Sequence, residues 1–133
     1  MTEPRSAVPE SPRIVPRPRP LLRESELSRL WQSQRLPPEA IGTATDELFA
    51  VRYRGRRGAG PGPDFRDAVL GREDGSTLRG DVELHVRSSD FRRHGHHLDR
   101  AYLRLVLHVV FQDDAGPTTL LDGRSVPTVA LER

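Results

Sequence analysis

"LRLVLHVVF", residues 103–111, is the most strongly strand-like stretch of the chain. On an extended backbone Leu103, Leu105, Leu107, Val109 and Phe111 fall on one side, and Arg104, Val106, His108 and Val110 on the other. Both sides are mostly apolar, which marks an inner strand covered above and below. Such a strand needs neighbours in a sheet and a layer on each face, so the fold class is α/β or α+β.

The rest of the chain supplies those neighbours. Residues 78–87 alternate cleanly: Asp81, Glu83, His85 and Arg87 share one side, and Val82, Leu84 and Val86 the other. "FRDAVL" (65–70) and "ELFAVRY" (47–53) read as two earlier strands, with a Gly/Pro loop at 55–63 and a turn signal, "EDGS", at 73–76. Short connections make these three a meander. Residues 22–36 predict an amphipathic helix through Leu22, Leu27, Leu30 and Trp31, opened by Ser25 and stopped by Pro37-Pro38. Residues 89–102 read as a loop with a short helix. "VPTVAL" (126–131) reads as an edge strand because it contains Pro127. The predicted order is helix, strand, strand, strand, short helix, strand, then the edge strand, without internal repeats.

Composition sets the boundaries. Only 35% of the 133 residues are hydrophobic, and half of the 12 prolines lie within the first 20 positions, interleaved with Arg5, Arg13, Arg17 and Arg19. Proline fixes φ and lacks a backbone donor, so residues 1–21 are expected to be a disordered basic tail and residues 22–133 a single α/β domain. All 21 basic residues are arginine, planar forks suited to carboxylate or phosphate, but the net charge of +2 is too small to argue for nucleic acid alone. The absence of cysteine excludes disulfides, thiolate metal sites and cysteine nucleophiles. No apolar run is long enough for a transmembrane helix and no secretory leader is visible, so a cytoplasmic protein without a membrane partner is expected. Composition leaves the oligomeric state open.

Four sets of residues carry candidate chemistry. Glu83 and His85 lie two positions apart on one strand face, about 7 Å apart at Cα. Asp64 opens the preceding strand and can reach that face. Two carboxylates and an imidazole can hold a divalent cation; the competing reading is the solvated side of a half-exposed strand. His94, His96 and His97 form a second cluster beside Arg92 and Arg93. It reads as a polar loop or as the source of a ligand, relay or phosphate contact near His85. His108 reads as a hydrogen-bonded core residue or as an outer partner of the same site. The run Arg52, Arg54, Arg56 and Arg57 reads as a solvated loop or a phosphate contact. The adjoining "GAGPG" lacks the Gly-Lys-Ser/Thr ending of a P-loop, and aromatics are too few for a base-stacking platform.

"GPDFRDAVL", "GDVELHVRSSDFRRHGHHLDRAY", "LVLHVVF" and "DGRSVPTVAL", in that order, resemble the uncharacterised bacterial family domain of unknown function 2851. The resemblance covers residues 22–132, and because members of that family are longer, it implies that this chain corresponds to their N-terminal part. A second resemblance rests on less. "PDF" followed by "ELH" is similar to the PD-(D/E)xK pattern of nucleases with a restriction-endonuclease-like mixed sheet. It implies that Asp64 and Glu83 hold a divalent metal (Mg, Mn or Zn) and that His85 stands where the pattern has lysine. Imidazole can act as a base near neutral pH but carries no permanent charge. On this reading the domain is a metal-dependent phosphodiesterase acting on nucleic acid, with Asp64, Glu83 and His85 catalytic and Arg87 and Arg93 contacting phosphate. His94, His96, His97 and His108 are accessory. The alternatives are a non-catalytic module of the same fold that binds nucleic acid or protein, and a histidine-rich metal-binding domain.

Overall fold

A computed structural model describes residues 22–35 and 49–131. The Pro/Arg-rich segment 1–21, the Pro37-Pro38 stop and the first two positions of the 47–53 strand lie outside the described residues. Helix α1 spans Glu24–Ser33. Its first turn begins after Arg23 rather than at Ser25, and the Glu26 carboxylate accepts the Arg23 backbone N–H at 3.2 Å. That arrangement satisfies a donor that the helix itself cannot. Leu27 and Trp31, four residues apart, are both buried and fix the helix face that meets the sheet.

The strands follow in sequence. β1 (Phe49–Tyr53) and β2 (Arg56–Arg57) pair successively along one side of β3 (Phe65–Arg72), and β3 pairs with β4 (Thr77–Arg87), all antiparallel. β4 then pairs with β5 (Leu105–Gln112) in parallel, which requires the chain to cross over the sheet. The crossover contains the short helix α2 (Asp90–Arg93) and two 3₁₀ turns, His96–Leu98 and Arg100–Tyr102. β6 (Thr118–Thr119) and β7 (Ser125–Val126) form a separate antiparallel ribbon, and β8 (Thr128–Ala130) closes the main sheet in parallel with β5. The result is a mixed α+β fold with sheet order β1-β3-β4-β5-β8 and β2 beside β3. The expected meander and inner strand are present, and the Pro127 edge strand is split into β7 and β8.

Two bulges flank one point on β4. On β3, Arg66 and Asp67 together oppose Asp81, so Phe65 and Ala68 face the same core. Asp67 takes φ 58 there and donates its N–H to the buried Asp81 carboxylate at 3.2 Å. On β5, Asp81 pairs with Leu105 and Val82 with Leu107, leaving Val106 as the extra residue. This corrects the simple alternation read from residues 103–111. Leu105 packs with Phe91 and Tyr102 on the crossover side, while Val106, Leu107 and Val109 pack with Trp31, Val82 and Leu84 on the α1 side.

Gly80 is the residue that lets β5 approach. A Cβ there would lie 2.3 Å from the Arg104 carbonyl oxygen and 2.4 Å from Val106 Cγ1, and backbone cannot move aside cheaply. Gly80→Ala is therefore expected to destabilise the fold by about 1–3 kcal/mol, the usual cost of overpacking. Urea unfolding followed by circular dichroism checks this; an unchanged midpoint would contradict it.

Candidate metal centre

The polar side of β4 is not its wet side. Asp81, Glu83 and His85 are 4%, 4% and 2% exposed, because the crossover lies over them. This overturns the solvated-strand reading. A carboxylate and an imidazole enclosed in a sheet need partners, and their partners define the site.

Asp64 is placed by the Gly/Pro loop, which folds back so that the Gly58 N–H donates to the Asp64 carbonyl at 2.8 Å. Its backbone N–H donates to Glu83 Oε1 at 3.0 Å, and its carboxylate Oδ2 accepts the Leu84 N–H at 2.8 Å. The two acids 19 residues apart are thereby brought side by side. Asp64 is exposed while Glu83 is enclosed. Burial pushes the Glu83 carboxyl up to about 10, and the neighbouring Asp64 adds to the effect. Among the described residues no arginine pairs with Glu83.

The groups that do face Glu83 are imidazoles. Its Oε2 lies 3.5 Å from His85 Nε2 and 3.3 Å from His96 Nε2. His96 arrives there because Gly95 takes φ 74, a left-handed turn between α2 and the first 3₁₀ turn. That turn also brings in His94: one ring nitrogen from each of His85, His94 and His96 lies within 4.8 Å of the others. His94 is the exposed member of the three and His96 is half-buried. His97 stands apart from them, with its Nδ1 buried and unpartnered.

Behind His85 the sheet supplies a second layer. His85 Nδ1 and His108 Nε2 are 2.8 Å apart, and His108 Nδ1 is 2.8 Å from Thr118 Oγ1. Burial holds His85 down to about 4 and His108 to about 3, with neighbouring imidazoles adding to it, so both rings are neutral at pH 7. Neutral imidazole is the form that ligates metals. Phe91 packs its ring edge-on or tilted against His85, His96 and His108, closing the site from the crossover.

Two participants were not singled out by the sequence. Tyr102 stacks on His96 with centroids 4.1 Å apart, and its hydroxyl is 3.3 Å from His96 Nε2. Burial and the negative charge of Glu83 and Asp64 raise its phenol. Glu24, in the first turn of α1, is exposed as a residue, yet its carboxyl is raised by partial desolvation and by Asp64. Helix α1 thus begins beside the site. Arg87 lies exposed at the end of β4, and Arg93 is an exposed residue of α2 that pairs with Asp90 at 3.5 Å. Of the basic run, Arg56 pairs with Asp67, and Arg54 sits 5.9 Å over the Phe65 ring.

The His85, His94 and His96 nitrogens lie close enough together to hold a cation, and Glu83 Oε2 borders two of these rings at 3.5 and 3.3 Å, near the donor separation of about 3.3 Å in tetrahedral ligation. Residues 24–133, which contain every residue of this site, match the model of the family described as protein of unknown function (DUF2851). The chain belongs to this family. No curated protein and no solved structure matches the chain. The family's description names no activity, so the chemistry of the site has to be read from its geometry. No described helix is long and apolar enough to cross a membrane.

Proposed function

We propose that the domain is a metal-dependent hydrolase of phosphodiester bonds in nucleic acid. One observation carries the metal reading: a buried carboxyl with no cationic side chain beside it among the described residues meets two neutral imidazoles at ligand-to-ligand distances. Glu83, His85 and His96 would hold the cation, with Asp64 and His94 on the solvent side completing its surroundings. Two or three nitrogen donors favour zinc or manganese over magnesium, which prefers an all-oxygen shell. A divalent cation supplies Lewis acidity, polarising a phosphoryl oxygen and making water a better nucleophile.

The protein's own groups have separable tasks. With a cation bound, Glu83 would ionise and provide negative charge from inside the fold, where water cannot screen it. Asp64, fixed by the Leu84 N–H, provides charge at the mouth. His94 is the exposed imidazole of the group and would complete the cation's surroundings from the solvent side. Arg87 and Arg93 lie at the surface near the site, where guanidinium groups can meet phosphate. The phosphodiester assignment is supported by the similarity of "PDF" and "ELH" to the PD-(D/E)xK pattern. It is also supported by the element order: helix, antiparallel meander, crossover with a short helix, then a parallel strand. His85 in the lysine position is tied to His108, so it serves as a ligand rather than as a mobile cation.

Purified protein stripped with chelator and reloaded with zinc, manganese or magnesium should cleave single-stranded or duplex DNA, RNA or an activated phosphodiester, with zinc or manganese preferred. Metal bound without cleavage of any of these would remove the hydrolase and leave a binding module, recognised by salt-sensitive association with nucleic acid.

A further inference from the structure

Four polar side chains form a continuous buried chain across the sheet, and the site uses only the first of them directly. His85 on β4 contacts His108 on β5, His108 contacts Thr118 on β6, and Thr118 Oγ1 lies 3.0 Å from Thr128 Oγ1 on β8. Exposure is 2% for His85, 0% for His108 and 5% for each threonine. Apolar side chains of similar volume would fill this space without requiring matched donors and acceptors. Polar groups held in a core at that cost specify something.

We infer that His108 and Thr118 are positioning residues that hold His85 in the tautomer able to ligate a metal. The inference rests on the metal reading above. A ring that presents a lone pair at Nε2 must carry its proton on Nδ1. The Nδ1 proton of His85 needs an acceptor, and among the described residues the atom placed to accept it is His108 Nε2 at 2.8 Å. His108 Nε2 accepts only if His108 carries its own proton on Nδ1. That proton in turn needs the Thr118 hydroxyl oxygen, and Thr118 then donates its hydroxyl proton to Thr128. Every link is determined by the one before it. The ribbon of β6 and β7 therefore acts on the metal site through hydrogen bonds, although Thr118 itself touches no candidate ligand other than through His108.

Thr118→Val removes the hydroxyl at nearly constant volume and leaves His108 Nδ1 without an acceptor. Zinc affinity, measured by competition with a chromophoric chelator, should fall about 10–100-fold, the range typical of losing an outer-shell partner. Thr118→Ser, which restores the hydroxyl, should recover most of it. In the zinc-loaded wild type, ¹⁵N-detected imidazole spectra should show His85 and His108 both protonated at Nδ1. Circular dichroism melts of the two variants identify any loss that comes from unfolding. Zinc affinity of Thr118→Val equal to that of the wild type, or His108 protonated at Nε2 in the loaded protein, overturns the inference while the metal site stands. A wild-type protein that binds no zinc overturns the metal site and the inference together.

Discussion

Glu83→Gln is expected to eliminate cation binding while leaving the metal-free fold as stable as the wild type or more so. Glutamine keeps an oxygen to accept the Asp64 N–H, which now lies 3.0 Å from Glu83 Oε1, so the local backbone has no reason to move. It removes the carboxyl that faces His85 and His96 and that would ionise on binding a cation. Zinc affinity should fall by more than the roughly 100-fold that loss of an outer partner causes, and any metal-dependent hydrolysis should fall with it. The stability half of the prediction follows from linkage. The folded Glu83 carboxyl is raised from 4.5 to about 10, chiefly by burial and then by Asp64. A raised acid contributes stability that is complete below pH 4.5 and is lost as pH climbs toward 10. At pH 7 the metal-free protein holds this group protonated at a cost on the order of 3 kcal/mol.

Glutamine has no such cost. Chelator-treated wild type should therefore melt at progressively lower temperature from about pH 7 to pH 9, and Glu83→Gln should show a flatter profile over that window. The window matters because the buried histidines act in the opposite sense below it. His85 and His108 have folded values lowered to about 4 and about 3, so they favour the folded state above the unfolded value of 6.5 and cost stability as pH falls through the acid range. Above pH 7 they are neutral in both states and contribute no slope. A wild-type melting temperature that rises from pH 7 to 9 would contradict the buried, uncompensated carboxyl. Loss of stability in Glu83→Gln at pH 7 would point to a structural role.

The sequence revealed periodicity and concealed phase. Strands β4 and β5 and helix α1 were legible because their side chains repeat at two and at three-to-four residues. The bulge on β5 was not, because both Leu105 and Val106 are apolar and a slip of one position leaves a hydrophobic run looking the same. The bulge on β3 falls on Arg66 and Asp67, adjacent polar residues in a stretch too short for its alternation to show that an extra residue is present. The same ambiguity hid the burial of Glu83 and His85. Alternation says which residues share a face, and only the crossover decides whether that face meets water. The crossover itself, residues 88–104, mixes charged residues, histidines and a glycine with no period, so its course over the sheet had no local signature. Gly95 was the one available clue: a glycine between His94 and His96 permits the left-handed turn that points both rings toward His85. β2, β6 and β7 span two residues each, too short for any periodic signal.

Trp31→Ala is expected to be the most damaging single truncation to the fold. The indole is 1% exposed and packs with Val82, Leu84, Leu107 and Val109 on the sheet face opposite the candidate site. Its Nε1–H donates to the Arg54 carbonyl at 2.9 Å, joining α1 to the turn between β1 and β2. Truncation leaves a large cavity and also deprives a part-buried carbonyl of its donor. Large aromatic truncations of this kind cost about 3–5 kcal/mol, against a total of 5–15 kcal/mol for a typical domain. Leu27 would remain as the only buried residue of α1, too little to hold ten residues of helix on the sheet. Urea unfolding followed by far-ultraviolet circular dichroism, with the tryptophan signal gone, should show a midpoint shifted far down or no folded baseline. Trp31→Phe separates the two contributions: it retains most of the apolar contact, loses the hydrogen bond, and should cost about 1–2 kcal/mol. Because Glu24 at the start of α1 feels the charge of Asp64, a loosened helix should also disturb the mouth of the site. The buried Glu83–His85–His96 group lies across the sheet, beneath the crossover. In Trp31→Phe it should keep its zinc affinity within a few-fold of the wild type, whereas in Glu83→Gln the fold persists and the affinity does not.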